Sequence, residues 1–168
     1  RKGSDYLWHA YLQRLEDDHA CCTPLCQADL TLQEMTAMFR SEDGTDLMPA
    51  IDLHLTQARS YGLDMQALGL SPEDIVSRAN NSSTPMGTFI QCMDHVGGYK
   101  EDPLRKKSSL LAMILSERPE KFLRTASGEQ LPPIIDYHLM RSCLRVGLVD
   151  VLDPVLRRDL IERRLMRN

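Results

Sequence analysis

Aromatic residues are scarce in this chain: one Trp, five Tyr and three Phe make up 5% of its 168 positions. A β-sandwich draws its core from aromatic and β-branched side chains, so this shortage, with nine Met present, points to an aliphatic and helical interior. No apolar run approaches the ~20 residues that a membrane-spanning helix needs, and no secretory leader pattern is visible at the start. Hydrophobic residues at 42% and charged residues at 26% are ordinary for a globular protein of one domain, and one all-α domain over 1–168 is expected.

The cysteines lack the pattern of a disulfide framework or a metal site. Five are present, an odd number, at Cys21, Cys22, Cys26, Cys92 and Cys143. This fits free thiols in a reducing compartment, the cytoplasm, better than paired bridges. His19 with Cys21, Cys22 and Cys26 invites a zinc reading. However, Cys21 and Cys22 are adjacent and point in different directions, and no second ligand pair follows. Four suitably spaced Cys for an iron–sulfur cluster are also missing. The expectation is no metal and no cofactor.

An excess of positive charge is absent too. The net charge is −4, whereas a protein that clamps a nucleic-acid duplex usually carries a basic face to neutralise phosphates. This argues against duplex nucleic acid and leaves a small phosphorylated ligand open. Basic residues cluster locally, over Lys100–Lys107 and at Arg157, Arg158, Arg163, Arg164 and Arg167. The plain reading of both clusters is solvated helix faces; the alternative is a phosphate contact.

Helix signals run the length of the chain. Leu7, Tyr11 and Leu15 mark one stripe of a helix over 4–18, and 19–29 reads as a polar loop. Thr31 with Glu34 predicts a capping box and a helix to about Phe39. Pro49 suits a first turn, with Ile51, Leu55, Ala58 and Leu63 as the apolar stripe beyond it. Ser71-Pro72 and Pro85 open further helices, the latter closed near Val96 by Gly97-Gly98. Asp102-Pro103 is expected to open a long helix whose buried face is Leu104, Leu110, Leu111 and Ile114. A Pro-containing connection over 119–133, with a short turn near Phe122, leads to a helix opened by Asp136. Leu139, Cys143, Leu144 and Leu148 lie on one side of it. Asp153-Pro154 predicts a last helix through about Met166. No internal repeat and no strand pattern is visible.

Two charged places stand out: Leu104-Arg105-Lys106-Lys107-Ser108 and Ile134-Ile135-Asp136-Tyr137-His138. Alone, Asp136 is an N-cap and the lysines are surface residues. Their order is helix, lysine, apolar stretch, Pro-containing connection, then an Asp opening a helix. That order resembles the helix-hairpin-helix DNA glycosylases, although Asp102-Pro103-Leu104 stands where those enzymes carry a glycine-rich hairpin.

A closer resemblance is to the queuosine salvage protein family, the queuosine 5′-phosphate N-glycosylase/hydrolases. It is carried by Leu30-Thr31-Leu32, Phe39-Arg40-Ser41-Glu42 with Met48-Pro49, Arg105-Lys106-Lys107, and Asp136-Tyr137 with Leu144 and Gly147-Leu148. It extends from about Leu7 to Leu165. The family's Asp-Tyr-Arg is Asp136-Tyr137-His138 here. Its upstream Asn-Phe-x-Phe-Trp segment and a C-terminal portion have no counterpart, and a partner subunit supplying them is one expectation.

The resemblance implies a glycosylase-like helical core and a small-molecule nucleotide or nucleoside substrate. Cleaving an N-glycosidic bond builds positive charge on the sugar, and a carboxylate beneath the anomeric carbon stabilises it or takes a proton from water. Asp136 is the candidate carboxylate, kept anionic by backbone donors at a helix N-terminus. Lys106 is the second catalytic candidate, holding the 5′-phosphate or the leaving base or orienting Asp136. Lys107, His138 and Arg141 are candidate phosphate contacts, and Trp8 and Tyr137 candidate stacking partners for a base. Plainer roles for these residues are surface charge, capping and core packing. Two rival functions remain: a helical DNA glycosylase or lyase with Lys106 or Lys107 as Schiff-base nucleophile, and a non-catalytic helical binding module.

Overall fold

In the computed structural model, residues 4–41, 43–46 and 48–164 are described. Among them are nine α-helices and no strand, an all-α architecture; the isolated bridge Arg40–Asp46 is the only β-type pairing. The chain divides into two compact units, Arg1–Ile134 and Ile135–Asn168. No helix among the described residues is long and apolar enough to cross a membrane.

The first unit holds α1 (Ser4–Asp17), α2 (Pro24–Asp29), α3 (Leu32–Met38), α4 (Ile51–Leu68), α5 (Pro72–Asn80), α6 (Pro85–Met93) and α7 (Lys106–Glu117). Thr31 and Ser71 cap α3 and α5 by reciprocal boxes: each hydroxyl accepts an amide N–H three residues on, and Glu34 or Asp74 accepts the cap's own N–H. α4 stops at Gly69, whose φ of +62° suits a residue without Cβ.

Two apolar clusters form the interior. Met35, Phe39, Leu55 and Ala58 join Ala10 and Leu30 in one; Met65, Ile75, Phe89, Ile90, Val96, Ala112 and Leu123 belong to the other. α4 contributes to both, which makes it the spine of the unit. Fully burying a side chain such as Phe39 or Met35 contributes about 1.5–3 kcal/mol.

Several local expectations are corrected. The stretch 19–29 is not all loop, because Thr23 accepts from the Cys26 amide and Pro24 occupies the first turn of α2. Leu63 is 60% exposed rather than on the buried stripe of α4. Residues 99–105 are turns, and α7 begins only at Lys106, behind Arg105 at φ +52°. Asp102 accepts from the Leu104 and Lys107 amides instead of capping the helix directly. The buried face of α7 is Ser108, Ser109, Ala112 and Ser116, while Leu104 and Ile114 are exposed. Small side chains allow a close helix approach that the hydrophobic pattern cannot reveal. The Ser108 and Ser109 hydroxyls make no hydrogen bond among the described residues.

The second unit contains α8 (Tyr137–Arg145) and α9 (Pro154–Ile161). Asp136 caps α8 through the Leu139 amide at 2.9 Å, and Asp153 caps α9 through Val155 and Leu156 at 2.7 and 3.0 Å. α8 ends at Gly147 with φ +72°, where the Leu148 amide donates to the Cys143 carbonyl. α9 stops at Ile161, short of the expected end; Leu165 and Met166 lie outside the described residues. No described residue from 135 onward is buried.

Candidate functional site

The first unit contains an apolar cavity of about 750 Å³. α1 supplies Trp8 and Tyr11, α4 supplies Tyr61, the turn after Gly97-Gly98 supplies Tyr99, and α7 supplies Lys107. Trp8 and Tyr11 are one helical turn apart and therefore share a face of α1. Trp8 is 65% exposed, which removes it from the core and leaves its ring open to the cavity.

Lys107 donates from Nζ to the Gly98 carbonyl at 2.5 Å, so its ammonium is fixed against the glycine turn at the wall. Gly97 is required there, since a Cβ at that position would overlap Ser60 of α4. Burial pushes the Tyr99 and Tyr61 phenols above their ordinary range, and a neighbouring Tyr99 charge would add to the effect on Tyr61. Burial does the same to Tyr11, followed by Cys22 and Cys21. All three therefore face the cavity as neutral hydroxyls at pH 7.

A second apolar cavity, of about 670 Å³, shares Tyr61, Tyr99 and Leu111 with the first and adds Glu73, Asn81 and Phe89. Both volumes fall within the range of small-molecule sites.

The structure thus brings two of the expected residues, Trp8 and Lys107, to one wall system. Lys106 is the first residue of α7 beside them in sequence, half-buried. Within the wider basic cluster, Lys100 is paired with Asp64 at 2.6 Å and Arg105 is bidentate on Asp94 at 3.0 and 2.6 Å. These two read as solvated pairs.

The remaining candidates belong to the second unit. Asp136 is half-buried at the N-terminus of α8. Tyr137, His138 and Arg141 gather beside it: the Tyr137 and His138 ring centroids are 3.9 Å apart, and the Arg141 guanidinium lies 5.5 Å from the Tyr137 ring. Such an exposed cation–π contact is worth about 0.5–1 kcal/mol. In the second basic cluster, Arg164 pairs with Glu162 at 2.6 Å, whereas Arg167 lies outside the described residues.

Sequence reasoning missed Tyr11, Tyr61 and Tyr99. The available signal was their scarcity: in a chain with few aromatics, a Tyr one turn after Trp8 and another beside a double glycine mark a place where rings are wanted.

The five cysteines are free thiols. Cys21 and Cys22 do not point apart as expected: their sulfurs stand 3.5 Å from each other, and burial together with Cys22 pushes the Cys21 thiol up to about 11. No group of three or more His, Cys, Asp or Glu among the described residues is arranged to hold a metal ion.

Compared with known proteins, the chain matches no family model, no curated protein and no solved structure.

Proposed function

We propose that the chain hydrolyses the N-glycosidic bond of a modified nucleoside 5′-monophosphate of the queuosine type, releasing the free base for salvage. The observation that carries this reading is the cavity of Trp8, Tyr11, Tyr61 and Tyr99 with the Lys107 ammonium at its wall. Aromatic faces stack on a planar base, and a cation meets a phosphate. The sequence resemblance contributes the reaction class and the carboxylate.

In this reading Asp136 accepts a proton from the attacking water as C1′ loses its bond to the base nitrogen. The hydroxyl joins C1′, and the base takes up a proton from solvent as it leaves, Asp136 later giving its own proton back to solvent. The resemblance gives Lys106 and Lys107, in the first unit, the role of meeting the phosphate or the departing base, and gives His138 and Arg141, in the second unit, that of adding positive charge near Asp136. No redox or metal step is needed for this balance. The setting is the cytoplasm, where free thiols persist.

Among the described residues the cavity wall around Lys107 carries no carboxylate, and that favours a second reading, a helical module that binds a nucleotide without cleaving it. One experiment separates the two. The purified protein is incubated with queuosine 5′-monophosphate, released base is followed by chromatography, and retention of the nucleotide is measured by calorimetry. Hydrolysis requires base release by the native chain and none by Asp136→Asn, which preserves the cap because Asn caps as well as Asp. Lys107→Ala should weaken binding about tenfold, by loss of a charge-assisted contact. Binding without release establishes the module. Neither binding nor release removes both readings.

A further inference from the structure

Cys21 and Cys22 lie in the turn between α1 and α2, with their sulfurs 3.5 Å apart. Hydrogen bonds clamp this turn. The Ala20 amide donates to the Asp18 carboxylate, and the Cys21 amide to the Asp18 carbonyl. Thr23 donates from its amide and its hydroxyl to the Ala20 carbonyl, and the buried Gln27 side chain donates to the Cys21 carbonyl at 2.6 Å. Cys21 is 4% exposed, whereas Cys22 is exposed and lines the aromatic cavity with Trp8, Tyr11 and Tyr61. Cys22 also acts electrostatically on the Tyr11 and Tyr61 phenols, which places it among them. One thiol is thus reachable from the cavity, and the second stands directly behind it.

A disulfide suits this pair poorly. Adjacent Cα atoms across a trans peptide are about 3.8 Å apart, short of the ~4.4 Å at which disulfides begin. Burial also keeps the Cys21 thiol protonated at pH 7, and disulfide exchange needs a thiolate. A single atom bridging both sulfurs meets neither obstacle. With a thiolate bond length of about 2.3 Å, sulfurs 3.5 Å apart subtend about 100° at the bridging atom. That angle excludes a linear copper(I) bridge. Zinc would need further protein ligands, and no group of three His, Cys, Asp or Glu is arranged for it among the described residues. Trivalent arsenic fits: its trigonal pyramid takes two sulfurs, one further substituent and a lone pair.

We propose that Cys21 and Cys22 form a dithiol site for a monosubstituted trivalent arsenical, whose organic substituent enters the cavity of Trp8, Tyr11 and Tyr61. Cys22 condenses first with the hydrated arsenical, forming one As–S bond and releasing one water. Cys21 then displaces the second hydroxyl, forming the other As–S bond and releasing a second water. Both thiol protons leave in the waters, arsenic stays trivalent, and no oxidant is required. An aryl substituent suits the aromatic wall. Neither step involves Asp136 or Lys107, so the site stands apart from the glycosidic reaction.

The test is titration of the reduced full chain with phenylarsine oxide, followed by intact mass and a count of free thiols. One phenylarsenic group per chain is expected, with two of the five thiols lost. Cys22→Ser, at an exposed position, should weaken binding about a hundredfold or more through loss of chelation, with helicity unchanged by circular dichroism. Cys26→Ser and Cys143→Ser should bind as the native chain does. Trp8→Ala should weaken binding about three- to tenfold. Loss of a single thiol per arsenical, undiminished binding by Cys22→Ser, or loss of binding in Cys26→Ser overturns the proposal. A native chain that takes up no arsenical overturns it as well, and undiminished binding by Trp8→Ala overturns the placement of the substituent.

Discussion

Ser71 and Asp153 stand at equivalent places in the two units. Each caps a helix that opens with Pro, and each side chain accepts a backbone amide of the first turn. Behind Ser71, Ile75 is 2% exposed; behind Asp153, Leu156 is 37% exposed and Ile161 73%. Identical start signals therefore produce a helix with an interior in one unit and a helix without one in the other. Capping satisfies local N–H groups, which needs only neighbours in sequence, whereas a core needs several helices to converge.

The sharpest way to break this comparison is at Gly62, where α4 crosses α2. A Cβ there would overlap the Pro24 carbonyl and the Ala28 amide, both backbone atoms with no freedom to move. Gly62→Val should cost about 3 kcal/mol or more and leave α8 and α9 untouched, as read by thermal melting and residue-level hydrogen exchange. Next comes truncation: Phe39→Ala, at a side chain 1% exposed, should cost about 3–5 kcal/mol in urea unfolding. Leu152→Ala should stay within about 0.5 kcal/mol. A large effect at Leu152 would show that the second unit has an interior after all.

Smaller effects sharpen the capping side. Asp153→Ala should cost about 1 kcal/mol, seen as faster amide exchange in α9 alone. Ser71→Ala should cost a similar amount but lower the unfolding midpoint of the whole first unit, because α5 is tied to its core.

The smallest effect is a pH dependence at two capping carboxylates of the first unit. The Ser71 amide and hydroxyl hold the Asp74 carboxyl below its ordinary range, and the Thr31 hydroxyl, followed by its amide, does the same for Glu34. A depressed folded-state value means stability that is present above the ordinary carboxylate range and lost as pH falls through the folded values. Urea midpoints should therefore decline in mild acid, and Asp74→Asn should flatten part of that decline. An unchanged profile in Asp74→Asn would place the acid sensitivity elsewhere.

Much of the helical framework was legible because its signals are local. Thr31–Glu34, Ser71–Pro72, Asp136 and Asp153–Pro154 each operate within one turn, and all four start helices where expected. The misread buried faces share one cause, a need for partners distant in sequence, whereas α2 was missed despite its local Thr23-Pro24 start. On α7 the pattern favoured Leu104, Leu110, Leu111 and Ile114; Leu110 and Leu111 are half-buried, Leu104 and Ile114 exposed, and the fully buried residues are Ser108, Ser109, Ala112 and Ser116. Of the candidate site, Trp8 and Lys107 were legible as residue types. Their meeting at one cavity with Tyr61 and Tyr99 was not, since α1, α4 and α7 are far apart along the chain.

Residue order alone thus determined the all-α class, the helix starts at Thr31, Ser71, Asp136 and Asp153, and the absence of a zinc-type cysteine spacing, because propensity, capping and ligand spacing act over a few residues. Tertiary structure decided which faces of the helices in the first unit are buried and which aromatics converge on a cation. Those outcomes depend on close packing between distant segments, where the size of a side chain counts as much as its hydrophobicity.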